Sequence, residues 1–214
     1  MIARSFVVAA TLALLATTAC SRRGEIDSSG GIVAVRSVCS TVAVPAQTGD
    51  ITLFDPAGDR SADAIDVVAA ITNVRSTCTD SGDPITTQVT FDVQARRTRT
   101  EGAREVVLPY FSTVVQGGTV IVAKRLGRVA IRFAPGQARA QASASATSYV
   151  VRASATLPED IRTQITRPRK AGQEDAAVDP LADPKVRQAV LRASFETLVG
   201  FQLTDDQFKY NVTR

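Results

Sequence analysis

Apolar and polar positions alternate most strictly over residues 85–96, where Ile85, Thr87, Val89, Phe91, Val93 and Ala95 interleave with Thr86, Gln88, Thr90, Asp92, Gln94 and Arg96. A period of two held this long predicts an extended strand with one buried and one wet face, the signature of an antiparallel sheet. Short β-branched runs at 32–35, 40–44 and 51–54 precede it and are stopped by Pro45, by Gly49-Asp50 and by Asp55-Pro56, which reads as three further strands. Residues 61–78 allow two readings. Ser61 can cap a helix with Ile65, Val68 and Ala69 on one face. The β-branched richness of 71–78 instead favours a strand with Val68, Ala70, Thr72, Val74 and Cys78 on one face, and the strand is the expectation. Residues 106–115 predict the next strand, bent or placed at an edge by Pro109. Gly117-Gly118 then turns the chain into 119–123, Gly127 interrupts, and 128–133 alternates again before Pro135-Gly136.

Alanine recurs at every second place from Ala138 to Ala146. Alanine favours helix, but spacing of two makes no helical stripe, so a strand of small residues and a solvated connection both stay open. Short strands separated by turn signals, without β-α-β alternation, predict an all-β fold: a β-sandwich of immunoglobulin-like architecture, roughly eight strands, over 32–157. Composition changes after Leu157. Residues 158–183 are charged and broken by Pro168, Gly172 and Pro180, and read as a linker. A helical C-terminal tail is expected over 184–214. Asp183 caps it, Pro184 suits its first turn, Val186, Ala189, Val190 and Ala193 share a face with Phe195 and Leu198 beside it, and Gly200 ends it. Thr204 and Gln207 have capping-box spacing for a last short helix carrying Phe208 and Tyr210. Such a tail packs on its own domain or docks on a partner through Phe195 and Phe208.

At the start of the chain, Arg4 is followed by an apolar run at 6–16 and then by Thr17-Thr18-Ala19-Cys20. This is the layout of a secretory signal, and the run is too short to span a bilayer. The junction resembles the lipobox of bacterial lipoproteins: Ala19 and Cys20 match it, Thr18 is acceptable, and Thr17 stands where that family usually has Leu. The resemblance implies a signal peptide at 1–19, diacylglycerol on the Cys20 thiol, and anchorage in a bacterial cell envelope. An ordinary signal-peptidase cut after Ala19 is the other reading. Residues 20–31 are polar and glycine-rich and are expected to act as a flexible tether. Ser21, following the cysteine, resembles lipoproteins sent to the outer membrane, which implies a position facing the periplasm. Asn211-Val212-Thr213 fits a glycosylation pattern of eukaryotic secretion, which conflicts with a bacterial lipobox.

Composition narrows the chemistry. The chain has no histidine, which removes the commonest general base, Ser-His and Cys-His nucleophile pairs and most zinc sites. It has no tryptophan, so the buried Trp of true immunoglobulin domains is absent. A formal net charge of +4 is too mild to nominate nucleic acid as a partner. Three cysteines are an odd count for an exported chain. If lipid takes Cys20, Cys39 and Cys78 are left to pair, closing a loop that stabilises by about 3 to 4 kcal/mol in the chain-entropy model. Two buried free thiols are the alternative.

No catalytic constellation stands out. Asp50, Asp55, Asp59, Asp63 and Asp66 sit among turn residues, where aspartate is expected for backbone reasons, and no aspartate run follows a calcium-loop pattern. No cofactor or metal is expected. Acidic residues dominate 39–84, whereas Arg96, Arg97, Arg99, Arg104, Lys124, Arg125, Arg128, Arg132, Arg139 and Arg152 dominate the next stretch, so a dipolar domain is expected. Arg97, Arg99 and Arg104 are candidates for binding an acidic envelope protein or an anionic envelope polymer. The resulting expectation is an envelope-anchored lipoprotein acting as a non-enzymatic binding or assembly module, with a secreted carboxylate-dependent hydrolase as the alternative.

Overall fold

The computed structural model describes residues 37–167, 172 and 178–214. The expected strand at 32–35, the signal and the tether lie outside these residues. The rest forms two four-stranded sheets packed face to face. Their strands are β1 Thr41–Ala43, β2 Asp50–Phe54, β3 Ile65–Thr79, β4 Ile85–Arg97, β5 Arg104–Gln116, β6 Val120–Phe133, β7 Arg139–Val150 and β8 Phe195–Phe201. One sheet has the order β1-β8-β5-β6 and the other β2-β3-β4-β7. Every neighbouring pair is antiparallel except β1 and β8. The fold is therefore the expected all-β sandwich, with short helices in its C-terminal part.

β4 follows its pattern to the end. Its odd positions are buried from Ile85 through Arg97, and Val89, Phe91 and Val93 meet Leu108, Ile131, Val199 and Phe201 in the core. In β3 the expected face is the wrong one. Val67 and Ala69 are buried and Ile71 packs on the core, while Val68, Ala70 and Thr72 are only half-buried. The phase changes at Asn73, which has φ 51°. Thr72 pairs with Asp92 but Arg75 with Thr90, so β3 carries one extra residue, and Val74 comes round to the core. A one-residue bulge exchanges the two faces of a strand, and asparagine is among the few residues that adopt left-handed backbone readily.

Pro109 does not place its strand at an edge, and Gly127 does not interrupt β6. β5 is an inner strand despite Pro109, whose carbonyl accepts from the Gln202 N–H at 2.9 Å, just past the end of β8. The proline thus faces a place where the ladder has already ended and no donor is needed. β6 runs through Gly127, which lies opposite Tyr110. The alternating alanines belong to β7: Ala140, Ala142, Ala144 and Ala146 pack against the core from the margin of their sheet.

The helical tail needs correction. Helices α1 Arg152–Ala155 and α2 Glu159–Thr166 precede α3 Pro184–Arg192, and α4 Asp205–Thr213 closes the chain. Between α3 and α4 the chain is a strand. β8 lies between β1 and β5, with Thr197, Val199 and Phe201 fully buried. Phe195, Thr197, Val199 and Phe201 have a period of two, which outranks the helical spacing of Phe195 and Leu198 once Ala193 has ended α3. The expected linker is partly structured as well, since Ile161 of α2 packs with Val186 and Ala189 of α3. The caps form as expected: Asp183 accepts from the Lys185 N–H at 2.8 Å, and Thr204 and Gln207 complete a capping box. α4 docks beside β2, where Asn211 donates to the carbonyls of Gln47 and Asp50, both at 2.8 Å.

Candidate functional site

The sandwich has two ends of different character. At one end lie the β4–β5 and β6–β7 turns, and Arg97 sits between them. It is only 3% exposed. Its Nε donates to the Gln137 carbonyl at 2.8 Å, and Nη2 lies within 3.0 Å of the carbonyls of Thr100, Gly102 and Ala134. The guanidinium also lies over the Phe133 ring, 5.0 Å from its centroid. Arg97 is a tie inside the fold and presents no charge to a partner.

The two neighbouring arginines are engaged too. Arg104 grips Asp66 with two parallel hydrogen bonds of 2.7 and 2.6 Å, and Arg99 pairs with Asp55 and lies 3.7 Å from Asp66. The hydrogen bonds from Arg104 hold the Asp66 carboxyl below the usual range, against the opposing effect of burial. Acidic and basic halves of the sequence therefore meet here, where a dipole was expected. Arg132 pairs in turn with Glu105 at 2.6 Å.

At the other end, Cys39 and Cys78 form the expected disulfide, with Cα atoms 6.1 Å apart. Beside it, Val38 packs on a small second core of Ile85, Val114, Val150 and Ala155, which Phe195 also joins. Phe195 is thus committed to the protein's own packing, whereas Phe208 is 44% exposed. The β5–β6 hairpin turns at this end through Gly117 and Gly118, both at positive φ (61° and 76°). The Gly117 N–H donates to the Ser194 carbonyl at 3.0 Å, and the Gln116 amide to the Arg192 carbonyl at 2.6 Å, which seats the hairpin on the end of α3.

β6 leaves this hairpin with both faces in solvent. Val120, Ile121 and Val122 are 55%, 65% and 49% exposed, and Leu191 of α3 is 47% exposed nearby. Lys124 and Arg125 follow after Ala123. The Lys124 ammonium lies 5.5 Å from the Phe111 ring centre, and the Arg125 guanidinium lies over the Tyr149 ring at the same distance. Among the described residues, neither these two nor Arg128 has an acid within ion-pair distance. Sequence reading placed a strand here without marking its exposure. The available signal was that Val120-Ile121-Val122-Ala123 does not alternate, although a single continuous run does not tell a doubly buried strand from a doubly exposed one.

The acids around the recess beside α2 and α3 are engaged within the protein. This recess, of about 470 Å³, is lined by Asp160, Asp179 and Asp183 among others. Asp179 and Asp183 accept backbone N–H groups of Leu181 and Lys185, and Asp160 lies 3.6 Å from the Lys185 ammonium. No cluster of His, Cys, Asp or Glu able to hold a metal occurs among the described residues, and no helix among them is long and apolar enough to cross a membrane.

No protein-family model matches the chain, and neither the curated proteins nor the solved structures contain a significant match to it.

Proposed function

We propose that this protein is a lipoprotein of the bacterial cell envelope, held by diacylglycerol on Cys20, whose sandwich serves as a non-enzymatic binding or assembly module. The observation that carries this reading is the disposition of the thiols. The apolar run at 6–16 is followed, after Thr17-Thr18-Ala19, by Cys20, and the other two cysteines are joined to each other, so Cys20 is the thiol left over. A disulfide also suits an exported chain, because thiols stay reduced in the cytosol of most organisms. Engagement of Asp55 and Asp66 by arginines, and of Asp179 and Asp183 by helix caps, supports binding over carboxylate-dependent hydrolysis.

The outer membrane, facing the periplasm, is the proposed address, on the strength of Ser21 after the lipidated cysteine. With Arg97 inside the fold, contact with an envelope protein or anionic polymer falls to other exposed bases, such as Arg128, which has no acid within ion-pair distance among the described residues. Metabolic labelling with a radioactive or clickable palmitate analogue tests the anchor. The wild-type chain is expected to take up label and to fractionate with membranes. Cys20→Ser is expected to lose both, and retention of label by that variant overturns the reading.

A further inference from the structure

The exposed hairpin lies at the same end of the sandwich as the first described residues and the Cys39–Cys78 bond. Val38 sits on the small core of Ile85, Val114 and Val150, and the Cys39–Cys78 bond fixes the chain there. Val114 pairs with Ala123, one residue beyond the exposed Val120-Ile121-Val122 run. The first described residues, 37–39, therefore lie at the end of the sandwich that carries the exposed Val120-Ile121-Val122 run.

Exposed branched aliphatics flanked by bases match a particular kind of surface. Valine and isoleucine at a hairpin gain by entering the acyl boundary of a bilayer, and bases set back from the turn gain from anionic headgroups. Here Lys124 and Arg125 stand a few residues along β6 from the turn, and the exposed Arg192 ends α3 next to it, its backbone carbonyl accepting from the Gln116 amide. Glu196 is nearby on the outer face of β8, paired in register with Val115. Asp80 and Asp83 belong to the β3–β4 turn at the same end but on the other sheet, where Arg152 binds the Asp80 and Gly82 carbonyls and its N–H donates to Asp83.

The geometry points to a membrane-docking face: Val120, Ile121, Val122 and Leu191 resting on an anionic lipid surface, with Lys124, Arg125 and Arg192 against its headgroups. This goes beyond the anchor on Cys20, because it gives the tethered domain a preferred orientation with the Arg97 end pointing away from the membrane. A second copy of the chain is a poorer occupant, since pairing β6 with itself brings Lys124, Arg125 and Arg128 of two strands close together, and like charges across a ladder repel.

The test uses the mature chain from residue 20 with Cys20→Ser, which carries no acyl group whichever peptidase cuts the precursor. It is floated with vesicles of phosphatidylcholine alone or with three parts in ten phosphatidylglycerol. Flotation is expected with the anionic vesicles and is expected to weaken as salt rises. The double variant Ile121→Ser, Val122→Ser should lose it, and Lys124→Glu should weaken it by at least about five-fold. Circular dichroism and thermal unfolding, unchanged in both variants, separate lost docking from lost folding. Absence of flotation, or flotation that ignores both variants, overturns the proposal. So does a dimer, detected by light scattering without vesicles, that needs the same residues. Since the protein tested has no acyl chain, each of these results stands apart from the palmitate experiment.

Discussion

Gly127 of β6 lies under the ring of Tyr110 on β5, so closely that a Cβ at Gly127 would stand 2.3 Å from the ring. The missing side chain lets Tyr110 lean across the seam between the sheets. Its hydroxyl donates to the Ser145 carbonyl of β7 at 2.8 Å, and its ring meets Phe91 edge-on, 5.2 Å between centroids. Gly127→Ala is therefore expected to destabilise by about 1 to 3 kcal/mol through overpacking. Urea unfolding measures this, and in a double-mutant cycle Tyr110→Ala should recover part of the loss, because the obstructing ring is then gone.

Arg97 was a candidate for partner binding and is a structural residue. Its guanidinium serves carbonyls from both turns at its end of the sandwich. Arg97→Met keeps much of the apolar stem and removes every donor, leaving carbonyls without a partner. A loss of about 2 to 4 kcal/mol is expected, on the penalty of about 1 to 3 kcal/mol for each buried group left unsatisfied. Thermal unfolding of this variant beside Arg96→Met, which is exposed one residue earlier and should change little, checks the assignment.

The disulfide closes a loop spanning 39 residues of sequence separation. Replacing both Cys39 and Cys78 by Ala is expected to lower stability by about 4 kcal/mol in the chain-entropy model. The wild-type protein without reductant should resist alkylation at Cys39 and Cys78. Denaturant unfolding of the oxidised and double-alanine forms, compared at one pH, measures the difference.

How far the fold could be read depended on whether one local period held without interruption. β4 was legible to its ends because no bulge shifts its alternation from Ile85 to Arg97. β3 was legible as a strand but not in phase, because its bulge at Asn73 moves every later side chain to the other face. β8 was missed because seven residues between two helices offer little periodic signal, and Phe195 and Leu198 happen to continue the helical stripe of α3. The candidate site was harder still. Arginines close in sequence look alike on paper, yet Arg97 turns inward by the parity of β4 while Arg99 and Arg104 meet Asp55 and Asp66 only through long-range folding. The cysteine pairing was legible because it followed from counting and compartment and not from position.

Phe195 and Phe208 separate packing from surface. Phe195 joins the small core with Ile85, Val114, Val150 and Ala155, whereas Phe208 is 44% exposed on α4. Phe195→Ala is expected to destabilise by about 3 kcal/mol, towards the lower end for a buried ring because it is only partly buried. Phe208→Ala should remain within about 1 kcal/mol of the wild type. Equal and large losses in a thermal melt would contradict this division.

The last prediction concerns acid. Asp66 has a side chain 6% exposed and accepts both hydrogen bonds of the Arg104 fork, while Arg104 itself is 39% exposed. These bonds favour the carboxylate, so its folded-state pKa lies below the unfolded one. A depressed folded pKa means that the stabilisation is fully present above the unfolded value, near about 3.9 for aspartate, and is lost as pH falls through the folded value. The unfolding free energy should therefore be flat from neutral pH down to mild acid as far as this residue is concerned, then decline below about pH 4. Asp66→Asn is expected to be less stable at pH 7 by about 1.5 to 3 kcal/mol, the range for hydrogen bonds to charged groups. Its deficit relative to the wild type should shrink on further acidification, because protonation removes from the wild type what the substitution has already removed. Unfolding measured for both proteins at pH 7 and at several points below 4 decides it, and a constant difference across that range would place the acid sensitivity elsewhere than on Asp66 and Arg104.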